Sequence, residues 1–193
     1  MTLASPLKTL KKPKGLKRLR GLGPSHKLPP VPDLSVEPER VAAATDDALQ
    51  RMTNTLGDEK LAKRVLKMKE NEYPNATFPE LVAIDYLKRR GVKWGFQVWA
   101  LGGRKIKGGQ VLDLIVDMGG GVAIWEINGN YWHNRPGKMQ LDKAQKFALM
   151  GIEIWGKPVT QILELWESRI MTDRTSVRKQ VFDMAMSGIE LGQ

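Results

Sequence analysis

The amino-acid sequence predicts an α/β protein whose mixed central sheet is flanked by helices. Helical spacing of apolar residues runs from Glu39 to a stop at Gly91. Between residues 95 and 128 the pattern changes to three β-branched and aromatic runs that glycine clusters separate. Helical spacing returns at Lys138. A later strand is therefore reached through a helix, and we expect it to lie parallel to a neighbouring strand.

Two helices are predicted over residues 39–72, where they form a peripheral hairpin. Each helix has one apolar face, and Gly57 separates the two. The faces consist of Val41, Ala44, Ala48 and Met52 in the first helix and of Leu61, Val65 and Met68 in the second. A basic arm over residues 1–38 and an α/β domain over residues 73–193 complete the predicted organisation.

The α/β domain is predicted to open with a helix and three strands. Thr77, followed three residues later by Glu80, is typical of a capping box, and the helix that starts there stops at Gly91. The predicted strands are Gly95–Leu101, Gln110–Asp117 and Val122–Asn128.

Four further elements are predicted after the third strand. They are a helix over Lys138–Met150, a short strand over Ile152–Trp155, an amphipathic helix marked by Val159, Ile162, Leu163, Trp166 and Ile170, and a last helix over Val177, Val181 and Met184. The short strand is the one that we expect to pair in parallel.

Positive charge is concentrated in the first 32 residues. The chain of 193 residues has 31 Lys and Arg against 21 Asp and Glu, a net charge of +10. Residues 1–32 contain eight of the basic residues and no acidic one, so the other 161 residues hold 23 basic against 21 acidic residues. Seven of the 11 prolines lie in residues 1–38, and such a segment cannot bury enough surface to order itself.

Three interpretations of this basic arm stay open. It is a flexible solubilising tail, an arm that neutralises phosphates, or a mitochondrial presequence, although its prolines and glycines interrupt the amphipathic helix that a presequence needs. The one-signed charge favours the phosphate-binding arm. Its candidate nucleic-acid contacts are Lys11, Lys12, Lys14, Lys17, Arg18 and Arg20.

The composition excludes several kinds of site. The absence of cysteine excludes disulfides, thiol nucleophiles, zinc fingers and iron–sulfur clusters, and two histidines, His26 and His133, are too few for a multi-histidine metal site. No apolar run approaches the ~20 residues of a membrane-spanning helix, and no signal-peptide core is present. We therefore expect a soluble intracellular protein, cytoplasmic or virus-encoded.

Two acidic residues in the predicted hairpin indicate a metal site. A two-residue turn at Gly119-Gly120 places Asp117 opposite Val122, and it places Asp113 opposite Glu126. The Cβ atoms of such a pair lie roughly 5 Å apart, and facing carboxylates are destabilising unless a cation neutralises them. Oxygen ligands favour Mg²⁺ or Mn²⁺. The alternative is a pair of solvated acids on an exposed sheet face.

Further polar residues are predicted near these acids. Alternation along the strand puts Asn128 on the side of Glu126. His133 follows in a loop, where it is a surface residue or a group that deprotonates water or binds the metal, and Asp142 could fix its tautomer. Lys146, one helical turn beyond Asp142, could contact a phosphate or be solvated.

Glu80 has two interpretations of equal weight. It lies on the same helix face as Ala83, Ile84 and Leu87, so its carboxylate could be a third metal ligand. The same residue also completes the capping box with Thr77.

These motifs resemble the PD-(D/E)XK, or restriction-endonuclease-like, nuclease superfamily. The resemblance rests on the helix glutamate, on Val111-Leu112-Asp113-Leu114 and on Trp125-Glu126-Ile127-Asn128. The stretch from Asn128 to His133, then Asp142, Lys146 and Gly151-Ile152-Glu153-Ile154, is similar to the very-short-patch-repair branch and its homing-endonuclease relatives with an EDxHD signature. The resemblance covers about residues 76–170.

The resemblance implies an α-β-β-β-α-β core and Mg²⁺-dependent hydrolysis of DNA, with RNA left open as a partner. By position, Asp113 and Glu126 would hold metal, Glu80 would support them, and His133 with Asp142 would handle the water. Asn128 stands where the family has lysine. Either His133 takes that role, or the chain is a nucleic-acid-binding or nucleoprotein component that has lost cleavage.

Overall fold

The computed structural model describes residues 38–101, 109–129 and 138–189, and the side chains within 45–101, 109–129 and 144–189. All of these residues belong to a unit that spans 37–193. The helices are α1 (Pro38–Leu56), α2 (Glu59–Asn71), α3 (Phe78–Arg90), α4 (Lys138–Leu149), α5 (Glu167–Ile170) and α6 (Thr175–Met186). The strands are β1 (Trp94–Ala100), β2 (Gln110–Asp117), β3 (Val122–Asn128), β4 (Glu153–Ile154) and β5 (Lys157–Trp166). None of these helices is long and apolar enough to cross a membrane.

The five strands form one curled mixed sheet in the order β1-β2-β3-β5-β4. Neighbouring strands are antiparallel except β3 and β5, which are parallel. The predicted α/β class with a mixed sheet flanked by helices is confirmed.

Apolar side chains cover both faces of the sheet. On one face Leu114, Val116 and Trp125 pack into the larger cluster, together with buried residues of α1, α2, α3 and α6. On the other face a smaller cluster includes Ile115 and Leu149, the latter from α4. Burial on both faces makes the central strands apolar along most of their length.

The predicted N-terminal helices and the caps of α3 are confirmed. Met52, Leu61, Val65 and Met68 are buried as their helical spacing requires. The helix α3 starts at the predicted capping box and ends at Gly91, whose φ of +67° belongs to the left-handed region that favours glycine.

The helix predicted around residues 159–170 is wrong for most of its length. Residues 157–166 form strand β5, and only Glu167–Ile170 is helical. Because β5 is covered on both faces, Ile162 packs on the smaller cluster whereas Leu163 and Leu165 pack on the larger one. Two-sided burial produced spacing that imitates a helix.

The strand predicted at Ile152–Trp155 is also corrected. It shortens to Glu153–Ile154 and pairs with β5 in the antiparallel direction. The parallel partner of β3 is β5 instead, over a register that includes Glu126 opposite Glu164.

Gly57 holds the turn between α1 and α2 against the segment before α6. Its φ is +61°, and a Cβ there would lie 2.4 Å from the carbonyl oxygen of Asp173. We expect Gly57→Ala to lower the free energy of unfolding by about 2–3 kcal/mol, from backbone strain plus the clash. Gly91→Ala is the matched control, because Gly91 has a similar φ with open space around it. Equal losses in urea unfolding would contradict the role given to the contact with Asp173.

Candidate metal and phosphate site

Asp113 lies where the β2–β3 ladder breaks. The predicted register is confirmed from Asp117 opposite Val122 to Leu114 opposite Trp125. If the ladder continued with the same alternation, the N–H of Ile127 would donate to the backbone carbonyl of Leu112. Instead this N–H donates to Oδ2 of Asp113 at 2.9 Å. The carboxylate is thereby drawn towards β3.

The neighbouring strand β1 is irregular at the same level. The β1–β2 register passes from Phe96 opposite Leu114 to Val98 opposite Leu112 without a pair at Gln97 and Asp113. Gln97 has a φ of +48°, which is uncommon for a residue other than glycine. Strained backbone of this kind clusters at functional sites. The conformation of Gln97 therefore supports a functional site at the level of Asp113.

Asp113 is poorly solvated and is surrounded by negative charge. Burial raises the pKa of its carboxyl to about 6, the hydrogen bond from Ile127 acts in the opposite direction, and the charges of Glu80 and Glu126 raise it further. The structure therefore brings the three predicted carboxylates close enough to interact. A cation would relieve both their repulsion and the loss of hydration.

The carboxylate of Glu80 is occupied by its helix. Its Oε2 accepts the N–H of Thr77 at 2.5 Å, and its own N–H donates to the Thr77 hydroxyl at 3.5 Å. The capping box is thus confirmed, and the residue is only 7% exposed. Glu80 acts on Asp113 through its charge while it is held in the cap.

A lysine bridges two glutamates on neighbouring strands. Lys146 on α4 lies 3.3 Å from Oε2 of Glu126 and forms a second ion pair with Glu164. Burial disfavours the charged amine, but the hydrogen bond and charge of Glu164 and the charge of Glu126 outweigh it, so the pKa of Lys146 is raised. The amine therefore stays charged beside the candidate site.

Asn128 is buried at the end of β3, two residues after Glu126. The residue is 3% exposed, and its Nδ2 has no hydrogen-bond partner among the described residues. Buried amide donors are rarely left unsatisfied. The end of β3 thus carries Glu126 and an amide ready to donate a hydrogen bond, in alternate positions of one strand.

Several predicted residues lie outside the described ranges. They are His133 and the side chain of Asp142, together with Lys11, Lys12, Lys14, Lys17, Arg18 and Arg20 of the basic arm. Within the ranges where side chains are described, no three His, Asp or Glu residues form a group that could hold a metal ion. The predicted ligand pair of Asp113 and Glu126 thus has no third described ligand.

Glu164 is the residue of this cluster that sequence reasoning missed. The apolar spacing of this segment predicts an amphipathic helix, which gives no reason to place Glu164 beside Glu126. Val159, Thr160 and Ile162 are the signal for a strand, since β-branched residues favour extended backbone.

No family model, no curated protein and no solved structure matches the chain.

Proposed function

We propose that the protein is a metal-dependent DNA endonuclease with a restriction-endonuclease-like core. The observation that carries the proposal is the partly buried Asp113 carboxylate, which is drawn to a break in the hairpin and has a raised pKa beside Glu80 and Glu126. An acidic cluster of this kind suits a hard divalent cation, and phosphodiester hydrolysis is the reaction that such cations commonly assist.

Asp113 and Glu126 would hold Mg²⁺ or Mn²⁺. Magnesium keeps several waters and is usually bound through one or two carboxylates plus phosphate oxygens, so two protein ligands are sufficient. When bound, the ion polarises the phosphate and lowers the pKa of water. The fit rests on the raised pKa of Asp113, because a carboxylate that is costly to ionise alone gains most from a cation.

The remaining residues of the site would orient the phosphate and the water. The Nδ2 of Asn128, which has no partner among the described residues, would donate to a phosphate oxygen, and the Lys146 amine would supply the positive charge that Asn128 lacks. His133 would accept a proton from the water, and Asp142 would fix its tautomer. Glu80 would contribute its negative charge from the helix cap.

A second candidate function is nucleic-acid binding without cleavage. The ion pairs of Lys146 with Glu126 and Glu164 favour it, because they already neutralise part of the acidic cluster. Asn128 in place of the family lysine points the same way. In that case the basic arm would do the binding, and the folded part would serve as a nucleoprotein component.

A nicking assay separates the two functions. The full chain is incubated with supercoiled plasmid in Mg²⁺, Mn²⁺ or EDTA, and with nicked, mismatched and branched duplexes. We expect metal-dependent cleavage that is lost in Asp113→Ala. Asp117→Ala is the control and should keep cleavage, because Asp117 lies on the same strand but its carboxylate accepts hydrogen bonds from Lys157 at 2.7 and 2.8 Å. His133→Ala should lose cleavage and keep DNA binding. Absence of cleavage on every substrate would reject the endonuclease.

Deleting residues 1–32 should weaken DNA binding and flatten its dependence on salt. The segment carries eight basic residues and no acidic one, and each phosphate that a protein neutralises adds about 0.9 to the slope of log affinity against log salt. The melting temperature should not change. Fluorescence anisotropy between 50 and 200 mM salt, as rough bounds, measures the slope. An unchanged slope would assign binding to residues 33–193.

A further inference from the structure

A cavity of about 300 Å³ opens between α3 and α6, with a wall from the start of α2. Its α3 residues include Arg89 and Arg90 at the C-terminal end of the helix. Glu80, which belongs to the candidate site, is at the N-terminal end of the same helix. Val82, Tyr86 and Arg89, which line the cavity, follow Glu80 by two, six and nine residues, and at about 100° per residue they lie on the opposite side of α3 from Glu80. The cavity is therefore separate from the candidate site.

A buried guanidinium that has no acidic ion-pair partner among the described residues lines this cavity. Arg178 is 4% exposed, and it donates hydrogen bonds to the carbonyl oxygens of Leu56 (3.1 Å) and Thr172 (2.5 Å) and to the hydroxyl of Thr175 (3.4 Å). All three acceptors are neutral. None of the ion pairs within 4.0 Å found among the described residues includes Arg178. Buried charges are normally paired, so this one is an exception.

The surrounding charges leave the cavity with an excess of positive charge. Asp85 is shared by Arg64 and Arg89, and Asp183 is shared by Arg90 and Lys179. Asp58 also lines the cavity, but it accepts the N–H of Leu61 as the cap of α2. Among the described residues, the lining of the cavity comprises four cations, Arg89, Arg90, Arg178 and Lys179, and two carboxylates, Asp58 and Asp183. Asp85 and Arg64, which extend the ion-pair chain from Arg89, add one charge of each sign. The excess is two positive charges.

The cavity also has an aromatic wall. The rings of Tyr86 and Phe182 stack at 4.8 Å between centroids, and both side chains line the cavity. The Tyr86 hydroxyl donates to Asp183 at 2.7 Å, and Arg90 lies 5.7 Å from the Tyr86 ring centre. The wall is therefore fixed on one side by stacking and on the other by a hydrogen bond. Leu61 and Val82 extend its apolar surface.

We propose that this cavity binds a phosphate-bearing anion of about mononucleotide size. Two excess positive charges match a phosphate monoester, which carries between −1.5 and −2 at roughly neutral pH. Guanidinium groups are well suited to phosphate because their N–H donors can bind two oxygens at once. The volume of about 300 Å³ is at the lower end of small-molecule pockets, and the aromatic wall gives the rest of the ligand an apolar surface. The phosphate could belong to a free nucleotide or to the 5′ end of a nucleic-acid strand.

Isothermal titration and thermal shift on the full chain test this site. The probes are inorganic phosphate, deoxyadenosine 5′-monophosphate, deoxyadenosine, and an oligonucleotide with or without a 5′ phosphate, all at one ionic strength. We expect the mononucleotide to bind at least tenfold more tightly than the nucleoside. A stronger response to the 5′-phosphorylated strand than to the same strand without the phosphate would identify a strand end as the source, and equal responses to the two strands would identify a free nucleotide.

Variants assign the binding to the cavity. Lys179→Gln should weaken mononucleotide binding about three- to tenfold, because Lys179 lines the cavity while its side chain is 71% exposed and so is not needed for folding. Arg178→Gln should weaken it further if the variant folds. Lys63→Gln is the matched control, since its exposed side chain pairs with Glu59 outside the cavity. The basic arm contributes equally in every variant.

Two outcomes would overturn the assignment. One is equal affinity for nucleotide and nucleoside, and the other is equal loss in Lys179→Gln and Lys63→Gln. The test is independent of the proposed cleavage, because Asp113→Asn should keep mononucleotide binding whether or not the chain is an endonuclease.

Discussion

Asp113→Asn should abolish magnesium-dependent cleavage and, in the same variant, stabilise the metal-free protein at neutral pH. Loss of at least three orders of magnitude in cleavage is expected, because no neighbouring side chain can replace the metal's charge. The gain in stability follows from the pKa of Asp113. An amide has no charge to desolvate, and its oxygen can still accept the N–H of Ile127.

The sign of the pH dependence follows from the same pKa. In the folded protein the carboxyl has a pKa of about 6, above its ordinary value of 3.8, so between these values the folded state binds more protons than the unfolded state. The contribution of Asp113 to the free energy of unfolding therefore falls as the pH rises through that window. Above pH 6 the ionised Asp113 carboxylate lowers the free energy of unfolding by its full amount, on the order of 3 kcal/mol. Below about pH 4 this destabilisation vanishes, because the carboxyl is protonated.

Urea unfolding in EDTA at pH 4 and pH 8 measures this effect as the difference between variant and wild type. Asp113→Asn should be more stable than wild type at pH 8 and equal to it at pH 4. Asp117→Asn is the control on the same strand. The hydrogen bonds from Lys157 and from Gly119 lower the pKa of Asp117 below its ordinary value of 3.8, so its ionised carboxylate stabilises the fold at both pH values. Asp117→Asn should therefore be less stable than wild type at pH 4 as well as at pH 8.

Magnesium provides a second measurement on the same variants. It should raise the melting temperature of wild type and of Asp117→Asn, but not that of Asp113→Asn, since binding to the folded state alone stabilises it. Stabilisation of Asp113→Asn by Mg²⁺ equal to that of wild type would show that Asp113 is not a ligand. If Asp113→Asn is less stable than wild type at pH 8, the ionised carboxylate of Asp113 stabilises the fold, contrary to the prediction.

The hairpin register could be predicted because one local feature fixes it. Gly119 has a φ of +87°, and the N–H of Met118 donates to the carbonyl of Gly121 at 2.9 Å, so Gly119-Gly120 forms the two-residue turn. Once the turn is known, alternation assigns a partner to every residue of β2 and β3 as far as the ladder is regular. The break at Asp113 was not predictable, since it depends on a carboxylate that replaces a backbone acceptor.

The identity of β5 could not be read from apolar spacing alone. Its partners β3 and β4 lie on either side, and helices and loops cover both faces, so period-two alternation is absent. Glu164 belongs to the site because β5 lies beside β3, where Glu164 is opposite Glu126. By contrast, Lys146 could be proposed from its position one turn after Asp142, although its partner Glu164 could not.

Lys146→Met should lower cleavage by about two to three orders of magnitude, the loss typical when one positioned donor to a developing charge is removed. Methionine keeps the length and apolar stem of the side chain but removes the amine that pairs with Glu126 and Glu164. These two glutamates are cross-strand neighbours, so without the amine their repulsion lowers stability by about 1 kcal/mol. Mg²⁺ should then raise the melting temperature more than it does in wild type.

Lys157→Met separates catalysis from stability at this position. Like Lys146, Lys157 is a partly buried lysine that pairs with a strand carboxylate, in this case that of Asp117. Its amine lies against the hairpin turn, where it also donates to the carbonyl of Gly119 at 3.0 Å. We expect a similar loss of stability with cleavage unchanged, whereas Lys146→Arg should retain most cleavage because the charge remains. If Lys146→Met cleaves as well as wild type, the lysine only neutralises Glu126 and Glu164. A wild type that does not cleave would leave DNA binding as the activity to compare. Binding that survives Lys146→Met but is lost when residues 1–32 are deleted would favour the nucleoprotein component. The ion pairs of Lys146 would then serve the fold alone.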